Sequence, residues 1–301
     1  MERPAALQSL STTVLCHVAA AVASAVWGTT FISSKILLNH GLAPADIMIL
    51  RFALAYAVLL FFSHRPLFAA TLRDELLLVC AGITGGSLYF LAENSALLYT
   101  QASNVAIIVA TTPLLTILAA RFLSRRERIT RPLAWGSAVS LAGVVLVVLN
   151  GNLVLHFNPL GDLLTLGAAV LWVLYSLTIM RLKDRYPTSM ITRKVFFYGI
   201  VTLLPIYAIQ PFGPSAALLA QPAVAANLLF LGLVASLFCY WIWNVAVARI
   251  GSVAASNYLY INPVVALVTA RVVLDEVIAP MAVGGTLLIL CGVYLAQRHA
   301  R

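Results

Sequence analysis

The sequence predicts an all-α integral membrane protein whose ten transmembrane helices form two inverted five-helix repeats. Hydrophobic residues make up 62% of the 301 residues and charged residues 10%, and the mean hydropathy is +0.97. A soluble domain is about half apolar and a quarter charged, and no single core hides this much apolar surface, so lipid must cover it. A further observation sets the architecture: the two halves of the chain resemble each other along their length.

Charges, prolines and polar turns divide the chain into spans of about 20 residues, the length a helix needs to cross a bilayer. The first is Val14–Leu38. Small residues in "AAAVASAVWG" look like a signal-peptide cleavage site, but the apolar run continues well past them, so an uncleaved helix is expected. Pro44–Phe62, Glu75–Tyr99, Ser103–Leu123 and Pro132–Leu149 complete a first repeat over residues 1–150. Pro159–Leu182, Met190–Ile209, Val224–Arg249, Val253–Leu274 and Pro280–Ala296 make up a second over 151–301, with no soluble domain left over.

Basic residues collect in alternate connections. Arg65 and Arg73 share one, and Arg121, Arg125, Arg126, Arg128 and Arg131 the next; Arg181, Lys183 and Arg185 follow, then Arg249, and Arg298 and Arg301 at the end. The intervening loops around His40, Gln101, Gly151 and Gly213 carry no lysine or arginine. By the positive-inside rule both termini are expected on the cytoplasmic side of the cell inner membrane. The net charge of +9 is then topogenic, and membrane lipid rather than nucleic acid is the expected partner. Cys16, Cys80, Cys239 and Cys291 all lie in apolar runs without CxxC spacing. They read as packing residues, with no disulfide, metal or cofactor expected.

Sliding the chain by about 150 positions aligns Gly82 with Gly232, Asn94 with Asn244, Pro113 with Pro263 and Arg121 with Arg271. A one-residue adjustment then aligns Glu127 with Glu276, Gly136 with Gly285 and Gly143 with Gly292. Trp27 and Trp172 fall at similar places in the first span of each half. An odd number of spans per half inverts the second repeat relative to the first, a construction shared by many secondary transporters, which hold substrate between the repeats.

The early "WGTTFISSK" (Trp27 to Lys35), "ATTPLLTILAARFLSRRE" at the end of the first half and "NYLYINPVVALVTARVVLDE" in the second resemble the drug/metabolite transporter superfamily. Within it the chain is most similar to EamA-type exporters and, among these, to the bacterial YddG-like aromatic amino-acid exporters. The resemblance covers nearly the whole chain. It implies the ten-helix fold and secondary transport of a small-molecule substrate; aromatic and other neutral amino acids are a further step of inference.

Lys35, Arg51 and Glu93 come from three different spans and fall at similar depth toward the outer side. Ionisable groups inside a membrane pair or line a watery cavity, so a polar cavity or gate is expected, with Glu93 paired to Lys35 or Arg51. The alternative for Lys35 is that its long side chain snorkels to the interface. Trp27, Phe31 and Lys35 share a helix face. Tyr89, Trp172, Tyr175, Tyr240, Trp241, Trp243, Tyr258 and Tyr260 form a second aromatic series. From it Tyr89, Trp172, Tyr175, Trp241 and Tyr258 are the candidate wall, with helix packing as the competing role.

Asn94 and Asn244 hold equivalent places in the two halves, and Asn257 and Asn262 lie in the ninth span; such residues serve as interhelical hydrogen bonds or as site donors. Pro113 and Pro263 each free the carbonyl four residues earlier, at Val109 and Leu259, and either kink or hinge their helices.

No HExxH, paired intramembrane aspartates or serine–histidine pair at membrane depth supports an enzyme, and no filter sequence supports a channel. Export of another solute, a drug or a nucleotide sugar, is the competing transport reading. A monomer is expected.

Overall fold

The computed structural model describes residues 5–63, 66–99, 105, 108–123, 130–149, 158–274 and 279–297. Outside them lie Arg65, Gln101, Arg125, Arg126, Arg128, Gly151, Arg298 and Arg301 of the charge pattern, and the Glu127–Glu276 correspondence. Among the described residues every regular element is helical. We number the principal helices α1 (Ala5–Asn39), α2 (Pro44–Phe62), α3 (Leu72–Tyr99), α4 (Thr112–Leu123), α5 (Arg131–Leu149), α6 (Pro159–Leu182), α7 (Thr188–Ala208), α8 (Pro222–Ile250), α9 (252–274) and α10 (Pro280–Gln297). Among the described residues six helices are long and apolar enough to cross a membrane, namely α2, α3, α6, α7, α8 and the Thr12–Asn39 part of α1.

The helix ends follow local chemistry. Pro44 and Pro159 open α2 and α6, where a missing N–H costs nothing. Asn158 caps α6 by accepting from the Gly161 N–H at 3.2 Å, and Thr71 caps α3 through the Asp74 N–H at 3.2 Å. The sharp turns after α1 and α8 each place a glycine at positive φ, Gly41 at 91° and Gly251 at 90°.

Two helices carry the same interruption. α3 passes through a π-helical stretch at Ile83–Ser87, and α8 through one at Phe230–Phe238. Each wider turn rotates the residues that follow relative to an unbroken α-helix. Helix α4 is preceded by a turn at Ala110–Thr111, and α9 contains a 3-10 turn at Asn257–Tyr260. Pro113 and Pro263 therefore sit in the first turn after a break rather than inside a continuous kinked helix. The carbonyl of Val109 accepts from the Thr112 hydroxyl at 2.5 Å.

Close packing runs through glycine. Helices α5 and α10 lie against each other so tightly that a Cβ at Gly136 would fall 2.5 Å from the Gly292 carbonyl oxygen. One at Gly143 would fall 2.6 Å from the Gly285 carbonyl oxygen. Under the sequence correspondence of Gly136 with Gly285 and Gly143 with Gly292, each of these contacts maps onto the other. Gly82 of α3 likewise packs on Tyr198 of α7, while Gly232 of α8 packs on Leu54 of α2. Small residues at such crossings are what let helices approach where lipid supplies no hydrophobic drive.

Candidate substrate cavity

Between α1, α2, α3, α4, α6, α8 and α9 lies a narrow cavity of about 30 Å³. That is room for a water or two and not for a bulky solute, so the walls stand close together here. Trp27, Thr30 and Phe31 face it from α1, Arg51 from α2, and Tyr89, Phe90 and Glu93 from α3. Val109, Thr112, Trp172, Tyr240, Leu259 and Asn262 close it from the other side.

Aromatic rings form the apolar part. Trp27 meets Trp172 edge-on at 5.2 Å between centroids and Tyr240 at 5.7 Å, and Tyr89 lies 5.1 Å from Trp172. The Trp27 indole N–H donates to the Ala235 carbonyl at 2.9 Å, and the Tyr240 hydroxyl donates to the Gly85 carbonyl at 2.6 Å. Both acceptors lie in the π-helical stretches, where backbone carbonyls are open to such partners.

Two opposite charges share this cavity. Arg51 is 2% exposed and Glu93 is 9% exposed. Arg51 Nε donates to Ser236 Oγ at 2.8 Å, and its guanidinium carbon stands 4.3 Å from the centre of the Phe90 ring. Glu93 accepts from the Tyr89 hydroxyl at 2.6 Å. Among the described residues neither has an ion-pair partner within 4.0 Å. The expected pairing of Glu93 with Lys35 or Arg51 is thus not made. Each side chain is held instead by a neutral hydroxyl, which fixes its position.

The structure brings Trp27, Phe31, Arg51, Tyr89, Glu93 and Trp172 to the cavity. It places the other candidates elsewhere. Lys35 is exposed and reaches the Leu97 carbonyl at 3.4 Å. Trp241 is 47% exposed on the outer face of the bundle, while its neighbour Tyr240 points inward. The π-helical stretch just before it resets the face of α8, which regular helical spacing does not reveal. Tyr258 is half-buried and bonds His17 Nδ1 at 3.0 Å. Tyr175 and Asn244 lie buried behind the wall, the Tyr175 hydroxyl donating to Asn244 Oδ1 at 2.6 Å and the Asn244 amide to Thr192 Oγ1 at 2.9 Å. Asn94 is buried, and neither amide atom has a partner among the described residues.

A polar cluster that sequence reasoning passed over lies at the end of the bundle carrying the α2–α3 and α6–α7 turns. Glu75 pairs with Lys194, accepts from the Tyr198 hydroxyl, and accepts from the Ala69 N–H at 2.6 Å. Asp74 pairs with Arg185 at 2.5 Å and accepts from the Tyr186 hydroxyl at 2.9 Å. Arg193 donates to the carbonyls of Ser63 and Pro66. These contacts tie the turn after α2 to the start of α7. The available signal was Arg193 and Lys194 inside an apolar span, since buried cations require partners.

The EamA-like transporter family matches this sequence twice, over residues 14–149 and 159–297. The chain belongs to that family. An uncharacterized transporter of Archaeoglobus fulgidus is 29% identical over 94% of this chain and 98% of its own. A probable terminal-alkyne amino-acid exporter of Streptantibioticus cattleyicolor is 30% identical over 91% and 90%. A probable amino-acid metabolite efflux pump of Salmonella typhimurium is 27% identical over 90% of each. A solved crystal structure superposes with a TM-score of 0.77 at 20% identity, covering 97% of this chain and 98% of that one, which establishes a shared fold. This EamA-family member is therefore a multi-pass membrane transporter, and its family and named relatives are transporters rather than enzymes.

Proposed function

We propose that this transporter exports amino acids, aromatic and other neutral ones, across the cell inner membrane by alternating access. The observation that carries the reading is the pair Arg51 and Glu93: opposite charges in one cavity, each buried and neither paired with the other. Each feels the other's field, but among the described residues neither touches a counter-ion. A buried charge without a contact partner is costly, so a substrate that brings both counter-charges is favoured over one that brings a single charge. A free amino acid does so, with its carboxylate toward Arg51 and its ammonium toward Glu93. The aromatic wall suits the remaining side chain. Two of the relatives carry amino-acid exporter or efflux names, which agrees with this direction.

The cavity lies between two inverted repeats, 1–150 and 151–301, in a monomer of ten crossings with both termini cytoplasmic. Supporting this, the shift of about 150 positions also relates Phe90 to Tyr240, Val109 to Leu259 and Thr112 to Asn262, so much of the lining comes in corresponding pairs. The reciprocal glycine contacts of α5 with α10 and of α3 and α8 with α7 and α2 have the same character. The helix breaks before Pro113 and Pro263 flank the cavity at Val109 and Leu259 and serve as hinges.

Counterflow of a labelled amino acid in proteoliposomes tests the reading. A saturable flux that unlabelled neutral amino acids compete away is the expected result. Flux that no amino acid competes for would reject it.

A further inference from the structure

The cavity holds two polar groups that recognition of an amino acid's charged ends does not use. Trp172 is 5% exposed and Asn262 is 6% exposed, and both line the cavity. Among the described residues the Trp172 Nε1–H has no acceptor and Asn262 Oδ1 has no donor. Buried polar atoms are nearly always paired in native proteins, so each orphan calls for an explanation.

For Trp172 the two halves can be compared. Its counterpart Trp27 donates to the Ala235 carbonyl. The shift that relates the halves carries Ala235 onto Gly85, so the corresponding bond would run from Trp172 to the Gly85 carbonyl. That carbonyl accepts from the Tyr240 hydroxyl instead. Tyr240 in turn corresponds to Phe90, which has no hydroxyl with which to compete for Ala235. The halves thus differ here: the first-half indole is bonded to the backbone of α8, while among the described residues the second-half indole has no such bond.

We propose that Trp172 Nε1–H and Asn262 Oδ1 form a subsite for a neutral hydrogen-bonding group on the substrate's side chain, a hydroxyl, phenol or carboxamide. Such a group both accepts and donates, which matches one free donor and one free acceptor. A hydrocarbon side chain leaves both orphans unpaired, and sites built around buried polar groups discriminate strongly against analogues that lack the partner. This proposal rests on the amino-acid reading above and narrows it to neutral polar amino acids.

Near-isosteric pairs test it in the unmodified protein. Initial counterflow is measured with labelled threonine and valine, and with labelled tyrosine and phenylalanine, at equal low concentration. The hydroxylated member is expected to exceed its partner in at least one pair by about tenfold. The Trp172→Phe and Asn262→Leu variants, at matched amounts of folded protein, are expected to shrink that ratio. Rates that favour neither hydroxylated member in the unmodified protein would overturn the subsite while leaving amino-acid transport standing, as would a ratio that survives in both variants. Absence of flux for every amino acid tried would overturn both. The pairs in the unmodified protein decide the matter even if a variant fails to fold.

Discussion

Replacing Arg51 by methionine is expected to raise the half-saturating concentration for a transported amino acid roughly 30-fold or more, because truncating one member of a desolvated charge contact costs about 2–5 kcal/mol. The side chain is buried, bonded to Ser236 and stacked on Phe90, so its position is fixed before any substrate arrives. Methionine keeps much of the volume and removes the charge. Glu93→Gln keeps the shape and the contact with Tyr89 while removing the opposite charge, and a loss of similar size is expected. The two losses should differ in kind: Arg51→Met penalises the carboxylate end, and Glu93→Gln the ammonium end. Concentration dependence of flux at matched protein levels reads both. Unchanged half-saturation in both variants would mean that neither charge faces substrate.

Lys194→Met is expected to destabilise the folded protein by about 3 kcal/mol, since breaking a buried pair leaves its partner charge uncompensated. Lys194 is buried, and Glu75 would keep the Tyr198 hydroxyl, the Ala69 N–H and the more distant field of Arg193 but no ion-pair contact. In detergent micelles this corresponds to a fall in melting temperature of roughly 5–10 °C. The double variant with Glu75→Gln should recover part of that loss, because the two changes act on one contact. An unchanged melting temperature in Lys194→Met would show that the Glu75 carboxylate is as well held by its remaining neighbours.

The apolar helical runs and the helix starts were legible because each has a local chemical cause, whereas the caps at Thr71 and Asn158 were not read. Pro44 and Pro159 mark helix starts; Pro113 and Pro263 pointed to irregular backbone beside Val109 and Leu259, though as a kink or hinge rather than the break that precedes each. Arg51 and Glu93 were legible because an ionisable residue in an apolar run stands out. Their partners were not: Ser236 and Tyr89 are ordinary residues of a span, and only the packing of α8 against α2 and the one-turn spacing on α3 reveal them. Lys35 shows the same difficulty from the other side, since its position in α1 suits a site and an interface equally well.

The face of a membrane helix is harder to read than its length. In α8 nearly every residue is apolar, so no polar stripe marks the outside, and the π-helical stretch at Phe230–Phe238 exchanges the places expected for Tyr240 and Trp241. The Glu75–Lys194 and Asp74–Arg185 pairs escaped because Asp74 and Glu75 lie at a span's edge, where charges ordinarily face water.

The most direct measurement on the zwitterion claim compares tyrosine with its two single-charge analogues, tyramine, which lacks the carboxylate, and phloretate, which lacks the ammonium. Each is added at the same concentrations to counterflow of labelled tyrosine in proteoliposomes. The expected result is competition by tyrosine and none of comparable strength by either analogue, since each leaves Arg51 or Glu93 without its counter-charge. Competition by tyramine or phloretate equal to that of tyrosine would contradict a cavity built for both charges.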